Sequence, residues 1–249
     1  MVDEFEKLFK DISKSVNSNK VWEEWLDYCI DINLLTLSSQ ELDFNGREKE
    51  YFELFRAWCN LMYDEVRKEN TLSGVTGWSD YLGTFYEKNV KTSYHAQARG
   101  QFFTPLHVCD FMAELTMIKK DYSNEFLMDS CCGSGRFILA GHSKEPTIIG
   151  YGIDLDSVAC KMAVMNAYIH GARCTIINGN SLSMEFIQGW KVNQYLGQLL
   201  PMPHIEPIHS FEEGLYYFSR EQKPKQIEEY MTQEENVKKE LQVTLDTFT

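Results

Sequence analysis

Phe126-Leu-Met-Asp-Ser-Cys-Cys-Gly-Ser-Gly-Arg-Phe-Ile-Leu-Ala-Gly141 decides how the rest of the chain is read. It predicts a short buried strand over Phe126–Met128, a carboxylate at the strand end (Asp129), a tight turn of small residues from Ser130 to Gly135, and a helix from Arg136 to about His142. Gly133 and Gly135 carry no Cβ, so the turn can take positive φ and a ligand can approach the main chain closely. The turn opens onto a helix N-terminus, where unpaired N–H groups and the helix dipole favour an anionic group. Asp129 sets the opposite charge at the same mouth. A carboxylate beside helix-end N–H groups suits a zwitterion, such as an amino acid with its ammonium and carboxylate. A glycine-rich turn alone serves equally as a plain βα connection, so the neighbouring stretches carry the decision.

Downstream, Thr147–Asp154 reads as a second strand that again ends in a carboxylate. In nucleotide-binding α/β folds an acidic residue about 20 positions beyond the glycine turn accepts hydrogen bonds from ribose hydroxyls. Asp156 then caps a helix with Val158, Met162, Met165 and Ile169 along one face, stopped by Gly171. Cys174–Ile177 is a third strand, followed by the polar turn Asn178-Gly-Asn-Ser-Leu182. Strand, helix, strand, helix, strand is the pattern of a parallel sheet with covering helices. All three polar turns fall at C-terminal strand ends, the edge where open α/β sheets bind ligands. Trp190–Leu200 fits either a helix or an extended segment. Pro201, Pro203 and Pro207 break regular structure through His209, and Phe211–Phe218 suits a short strand or a turn.

Upstream, residues 1 to about 95 look helical. Val21, Trp22, Trp25, Leu26, Cys29 and Ile30 recur at helical spacing, as do Tyr51, Phe52, Leu54, Phe55, Trp58, Leu61 and Met62. Asn45-Gly46 and Ser73-Gly74 mark breaks, and Ser79 is placed to cap a helix through Tyr81, Leu82, Phe85 and Tyr86. The aromatic stripes read as bundle core. In Ala98–Pro105, Thr104 is the expected N-cap with Pro105 at the first helical position. The helix that follows presents Val108, Phe111, Met112 and Leu115 on one face. Three regions result: a helical N-terminal domain (1–97), an α/β domain with a ligand-binding edge (98–218) and a charged C-terminal helix or tail (219–249).

The 249 residues are 43% hydrophobic and 24% charged, a globular composition, with a formal net charge of −13. Phosphate neutralisation supplies most non-specific DNA affinity, so this acidity counts against a self-sufficient DNA binder. No apolar run reaches membrane-spanning length. The acidic, polar N-terminus does not read as a signal peptide, and the seven scattered cysteines read as reduced thiols, so a cytoplasmic location is expected. No metal-ligand spacing is present, and His142, His170, His204 and His209 read as ordinary histidines.

Five stretches now fall into an order that resembles a known family. Gly100-Gln-Phe-Phe-Thr-Pro105, Asp129-Ser-Cys-Cys-Gly-Ser-Gly-Arg-Phe137, Gly152-Ile-Asp154, Met165-Asn-Ala-Tyr-Ile-His-Gly171 and Asn178-Gly-Asn-Ser-Leu182 follow one another as in the N6-adenine DNA methyltransferases. The nearest likeness is to the modification subunit of type I restriction–modification systems, over roughly residues 1 to 185. The resemblance implies a methyltransferase (Rossmann-like) parallel sheet, here truncated, behind an α-helical N-terminal domain. It implies S-adenosyl-L-methionine as cofactor. Asp129 would face the methionine ammonium, the Gly133–Gly135 turn would pack on the methionine portion, and Thr104 would take the carboxylate. Asp154 would hold the ribose hydroxyls and Leu155 would lie on the adenine. Asn180 stands where the family has an Asp facing the adenine amino group. Gln101, Phe102, Phe103, Pro105, Ser130, Cys131 and Ser181 complete the implied cofactor-binding set. DNA, and a specificity-type partner subunit, are the implied partners, with homo- and hetero-oligomers both left open.

The sequence departs from that family in one respect. The family carries Asn-Pro-Pro-Tyr/Phe after its fourth strand, which orients the target amine and stacks on the flipped base. Residues 183–249 contain Leu200-Pro-Met-Pro-His204 and Glu206-Pro-Ile-His209, but no Asn-Pro-Pro. The stretch after Leu182 is also short for the remaining strands of such a sheet. The catalytic residues are therefore unassigned. Two readings stand beside each other: an adenine DNA methyltransferase, or part of one completed by a partner, and a catalytically inactive cofactor-binding or regulatory relative. A third, an interaction protein with a vestigial pocket, is opposed by Asp129 and Asp154.

Overall fold

The structure, a computed structural model, describes residues 3–35, 43–72, 77–90, 103–117, 126–197 and 199–214, with side chains from 65 to 72 excepted. Gln101, Phe102, Ser73-Gly74 and the charged region 219–249 lie outside the described residues.

Strands β1 (Phe126–Asp129), β2 (Ile149–Asp154) and β3 (Cys174–Asn180) form the parallel half of a five-stranded sheet. Helices α6 (Arg136–Lys144) and α7 (Ser157–His170) supply the two crossovers and pack on each other and on the sheet. The register pairs Asp129 with Gly152 and Asp154 with Asn178, so the predicted polar turns share one edge. The two remaining strands, β4 (Glu185–Val192) and β5 (Ile205–Ile208), are antiparallel to their neighbours, in the order β1-β2-β3-β4-β5. The expected parallel sheet thus holds over β1–β3 and fails beyond. Residues 181–184 are far too few for the crossover of about a dozen residues that a parallel return needs, so the chain folds back as a hairpin. The fold is α/β with a mixed sheet.

The helical region comprises α1 (Glu4–Ile12), α2 (Ser18–Asp31), α3 (Glu48–Leu72), α4 (Tyr81–Phe85) and a π-turn (Tyr86–Val90). Its aromatic stripes are core. Trp22, Trp25 and Trp58 are fully buried, Phe5 meets Trp25 edge-on at 5.2 Å, and Trp22 stacks on Phe85 at 5.3 Å. The buried side chains form one continuous cluster from Phe5 on α1, through α2 and α7, to Ile205 on β5. Behind α2 the main chain reaches the sheet itself, where Leu35 N–H donates to the Ile205 carbonyl (2.8 Å). The opposite sheet face holds a separate, smaller cluster of Ile153, Ile177, Ile208 and Phe211, the last on α8 (Phe211–Gly214).

Two local expectations are corrected. Asp80, not Ser79, caps α4, because its carboxylate accepts from Gly83 N–H at 2.7 Å. Pro105 rather than Thr104 occupies the N-cap of α5 (Leu106–Thr116), with no side-chain cap. On α5 the buried positions are Cys109 and Ala113, while Phe111, Met112 and Leu115 are exposed. Small side chains four apart let α5 lie close against α6, and that contact outweighs the larger apolar row. The other caps follow the sequence: Asp156 accepts from Ala159 N–H (2.9 Å), and Gly171 ends α7.

Candidate functional site

The glycine turn is held from three sides. Cys132 N–H donates to the Ile153 carbonyl (2.9 Å), Gly133 N–H to Asp154 Oδ2 (2.8 Å), and Gly135 N–H to the Cys132 carbonyl (2.8 Å). Gly133 (φ 53°) and Gly135 (φ 84°) are left-handed, and each faces a neighbour that a side chain would strike. A Cβ at Gly133 would stand 2.9 Å from the Phe103 ring, and one at Gly135 would stand 3.1 Å from Ala163 Cβ on α7. The first glycine gives Phe103 its place over the turn, and the second lets α6 start against α7.

Between Phe103, Thr104, Met112, Asp129, Cys131 and Gly133 lies a cavity of about 130 Å³. Asp129 Oδ1 accepts from Cys131 N–H (3.1 Å), its one hydrogen bond among the described residues. Burial pushes the Asp129 carboxyl above the usual range; the Cys131 N–H opposes this and the nearby Asp154 carboxylate adds to it. A cation in the cavity would relieve that cost. The cavity is well under the ~300–1,000 Å³ of sites that enclose drug-sized ligands. It fits an amino-acid end, not a nucleoside with it.

Of the remaining predicted residues, Asp154 and Asn180 end β2 and β3 on the same sheet edge. Asp154 spends one oxygen on Gly133 and the other on Asp156 N–H (2.9 Å), so it braces the turn from β2. Leu155 beside it is 67% exposed. Asn180 Oδ1 accepts from Leu182 N–H (2.9 Å) and Ser183 N–H (3.2 Å), which closes the β3–β4 turn that also contains Ser181. Ser130 is exposed, and Pro105 opens α5. Cys132 is buried; the neighbouring Cys160 thiol and burial push its own thiol up.

Sequence reading missed a buried polar hub behind the turn. Asp80 Oδ2 accepts from Arg136 Nε (2.6 Å) and Ser134 Oγ (2.6 Å), and Asp80 Oδ1 from Asn166 Nδ2 (2.8 Å). Asn166 Nδ2 also donates to the Ser134 carbonyl (2.9 Å). Arg136 Nη1 donates to the Thr104 carbonyl (2.9 Å), and its guanidinium lies 5.2 Å from the Phe103 ring centre. Five segments meet there: α4, the stretch before α5, the turn, the start of α6 and α7. The signals existed, since an Arg opening an apolar helix and an Asn inside Val164-Met165-Asn166-Ala167 need buried partners.

Comparison with known proteins agrees with the motif order. Residues 78–195 match the family model described as N-6 DNA Methylase. The type I restriction enzyme MpnII methylase subunit of Mycoplasma pneumoniae is 25% identical over 213 residues, 72% of this chain and 38% of that relative. The chain thus aligns with well under half of the relative's length. No solved structure matches. Together these findings bear out the resemblance to N6-adenine DNA methyltransferases and to the modification subunits of restriction–modification systems.

Proposed function

We propose that the chain binds S-adenosyl-L-methionine at the edge of β1 and β2, and that it is an N6-adenine DNA methyltransferase-like protein which contributes the cofactor half of a methylating assembly. The observation that carries the reading is Asp129: a half-buried carboxylate that accepts from the Cys131 N–H, beside a glycine turn, at the wall of an amino-acid-sized cavity. Asp129 takes the ammonium, and Phe103 and Gly133 wall the aliphatic part. On this reading Asp154 and Leu155, at the end of β2, would take the ribose and the purine. When bound, the cofactor supplies a methyl group on a sulfonium sulfur. The protein's own part is to hold that group at a fixed position on the strand edge.

A second reading is favoured by the hairpin after β3. These residues turn back into β4 and β5 and carry no Asn-Pro-Pro-aromatic run to accept the target amine. The net charge of −13 likewise gives the chain a poor grip on phosphates. On this reading the chain is a regulatory or cofactor-binding relative, and a second polypeptide brings both DNA and the target base.

Calorimetric titration of the purified chain with S-adenosyl-L-methionine tests the shared premise. Micromolar binding, about −8 kcal/mol, is expected. Asp129→Ala should weaken it by about 1.5–3 kcal/mol, the worth of a hydrogen bond to a charged group. A folded chain that takes up no cofactor refutes the proposal.

A further inference from the structure

We infer that Glu87 and Arg136 are positioning residues for the cofactor pocket: together they clamp the Phe103–Thr104 segment over the glycine turn. The inference rests on the S-adenosyl-L-methionine reading above.

Glu87 Oε1 accepts from Phe103 N–H (3.1 Å), and Glu87 Oε2 from Arg136 Nη2 (3.3 Å). Arg136 grips the next residue through the Thr104 carbonyl and lies against the Phe103 ring. The two consecutive residues that wall the cavity are therefore held by main chain and ring at once. Arg136 is already neutralised by Asp80, whose side chain is fully buried. Glu87 is not needed for that neutralisation. Its own side chain is 34% exposed, where an ion pair adds little stability. Its bonds act on where Phe103 sits, not on whether the protein folds.

The backbone supports this assignment. Glu87 lies in the π-turn that continues α4, and π-turns are uncommon and concentrate at functional sites. Tyr86, the neighbour of Glu87, also meets the Phe103 ring at 6.4 Å between centres. Phe103 in turn closes on Gly133, where any side chain would displace it. The chain of contacts runs from the π-turn through Phe103 to the turn that receives the ligand.

Two measurements on the full chain test it: amide exchange at Phe103 without ligand, and calorimetry with S-adenosyl-L-methionine. In Glu87→Ala the Phe103 amide should lose protection and cofactor affinity should fall about tenfold, with the thermal midpoint unchanged, since misplacement of a positioning group acts on binding. Glu87→Gln keeps an acceptor oxygen and should restore both. Unchanged Phe103 protection in Glu87→Ala overturns the inference whatever the ligand does. Lost protection with unaltered affinity overturns it too, because the clamp would then be irrelevant to the pocket. If the unaltered chain binds no cofactor while Glu87→Ala still deprotects Phe103, the cofactor reading fails and the inference falls with it. That pattern is distinct from failure of the clamp alone.

Discussion

At the residue scale, the proposed function has Asp129 trade stability for binding. Its folded pKa lies above the ordinary carboxylate value. The protonated form is therefore favoured by folding below that ordinary value, and this contribution is lost as pH rises through the folded pKa. At neutral pH the ionised group is a cost to the ligand-free protein. Asp129→Asn should raise the thermal midpoint without ligand, by about 2–4 °C for each kcal/mol relieved, while cofactor affinity falls. In the unaltered chain, affinity should also fall as pH drops through the raised pKa, because the ammonium loses its partner; calorimetry across an acid pH series reads this. Gly133→Ala should weaken binding with a destabilisation of about 1–2 kcal/mol, since a Cβ there meets Phe103 at 2.9 Å in a left-handed conformation. Asp129, Gly133 and Asp154 are legible as a candidate site in the sequence because strand ends and glycine turns have local signatures. Asp80, Arg136 and Glu87 are not, because their meaning comes from partners 16 to 86 residues away in the chain.

At the scale of elements, the hub joins α4 to α6 and α7, so its loss should be felt as stability. Asp80→Ala leaves the buried Arg136 guanidinium without its buried carboxylate and with only the longer contact to the partly exposed Glu87. About 3–5 kcal/mol should be lost in urea unfolding, the range for breaking one side of a buried pair. Arg136→Lys is a milder change that keeps the charge but not the fork, and should retain part of it. A near-neutral Asp80→Ala would mean the hub is solvated. The βαβ succession over β1–β3 is legible in the alternation of apolar runs, caps and glycines. The β4–β5 hairpin is not, because Glu185–Val192 carries Gln188 and Gly189 inside the strand and its partner begins only after the loop ending at His204. The buried face of α5 is not legible for a related reason. Periodicity identifies large apolar residues, whereas Cys109 and Ala113 make the contact because they are small.

Across the whole molecule, the helical region and the sheet share one core, and two histidines report on its integrity. His170 Nδ1–H donates to the Asn166 carbonyl (2.8 Å), and Nε2 accepts from Ser79 N–H (3.1 Å), so the ring must stay neutral. Burial holds His170 and His142 below the ordinary imidazole value of about 6.5. A depressed folded pKa gives stability that is present above the unfolded value and is lost as pH falls below it. Unfolding midpoints should drop between pH 7 and pH 5, and His170→Gln should flatten part of that slope. Among the described residues no helix is long and apolar enough to cross a membrane. The purified chain, with no partner, should leave adenine unmethylated on unmodified DNA, and N6-methyladenine found by mass spectrometry would contradict the cofactor-half reading. The most direct test of the central claim is a residue-resolved NMR titration of the full chain with S-adenosyl-L-methionine. The account predicts saturable shifts centred on Phe103, on Cys131 to Gly135 and on Asp154 to Leu155, absent in Asp129→Ala. A folded chain whose spectrum stays unchanged, or whose shifts gather away from that strand edge, would contradict it.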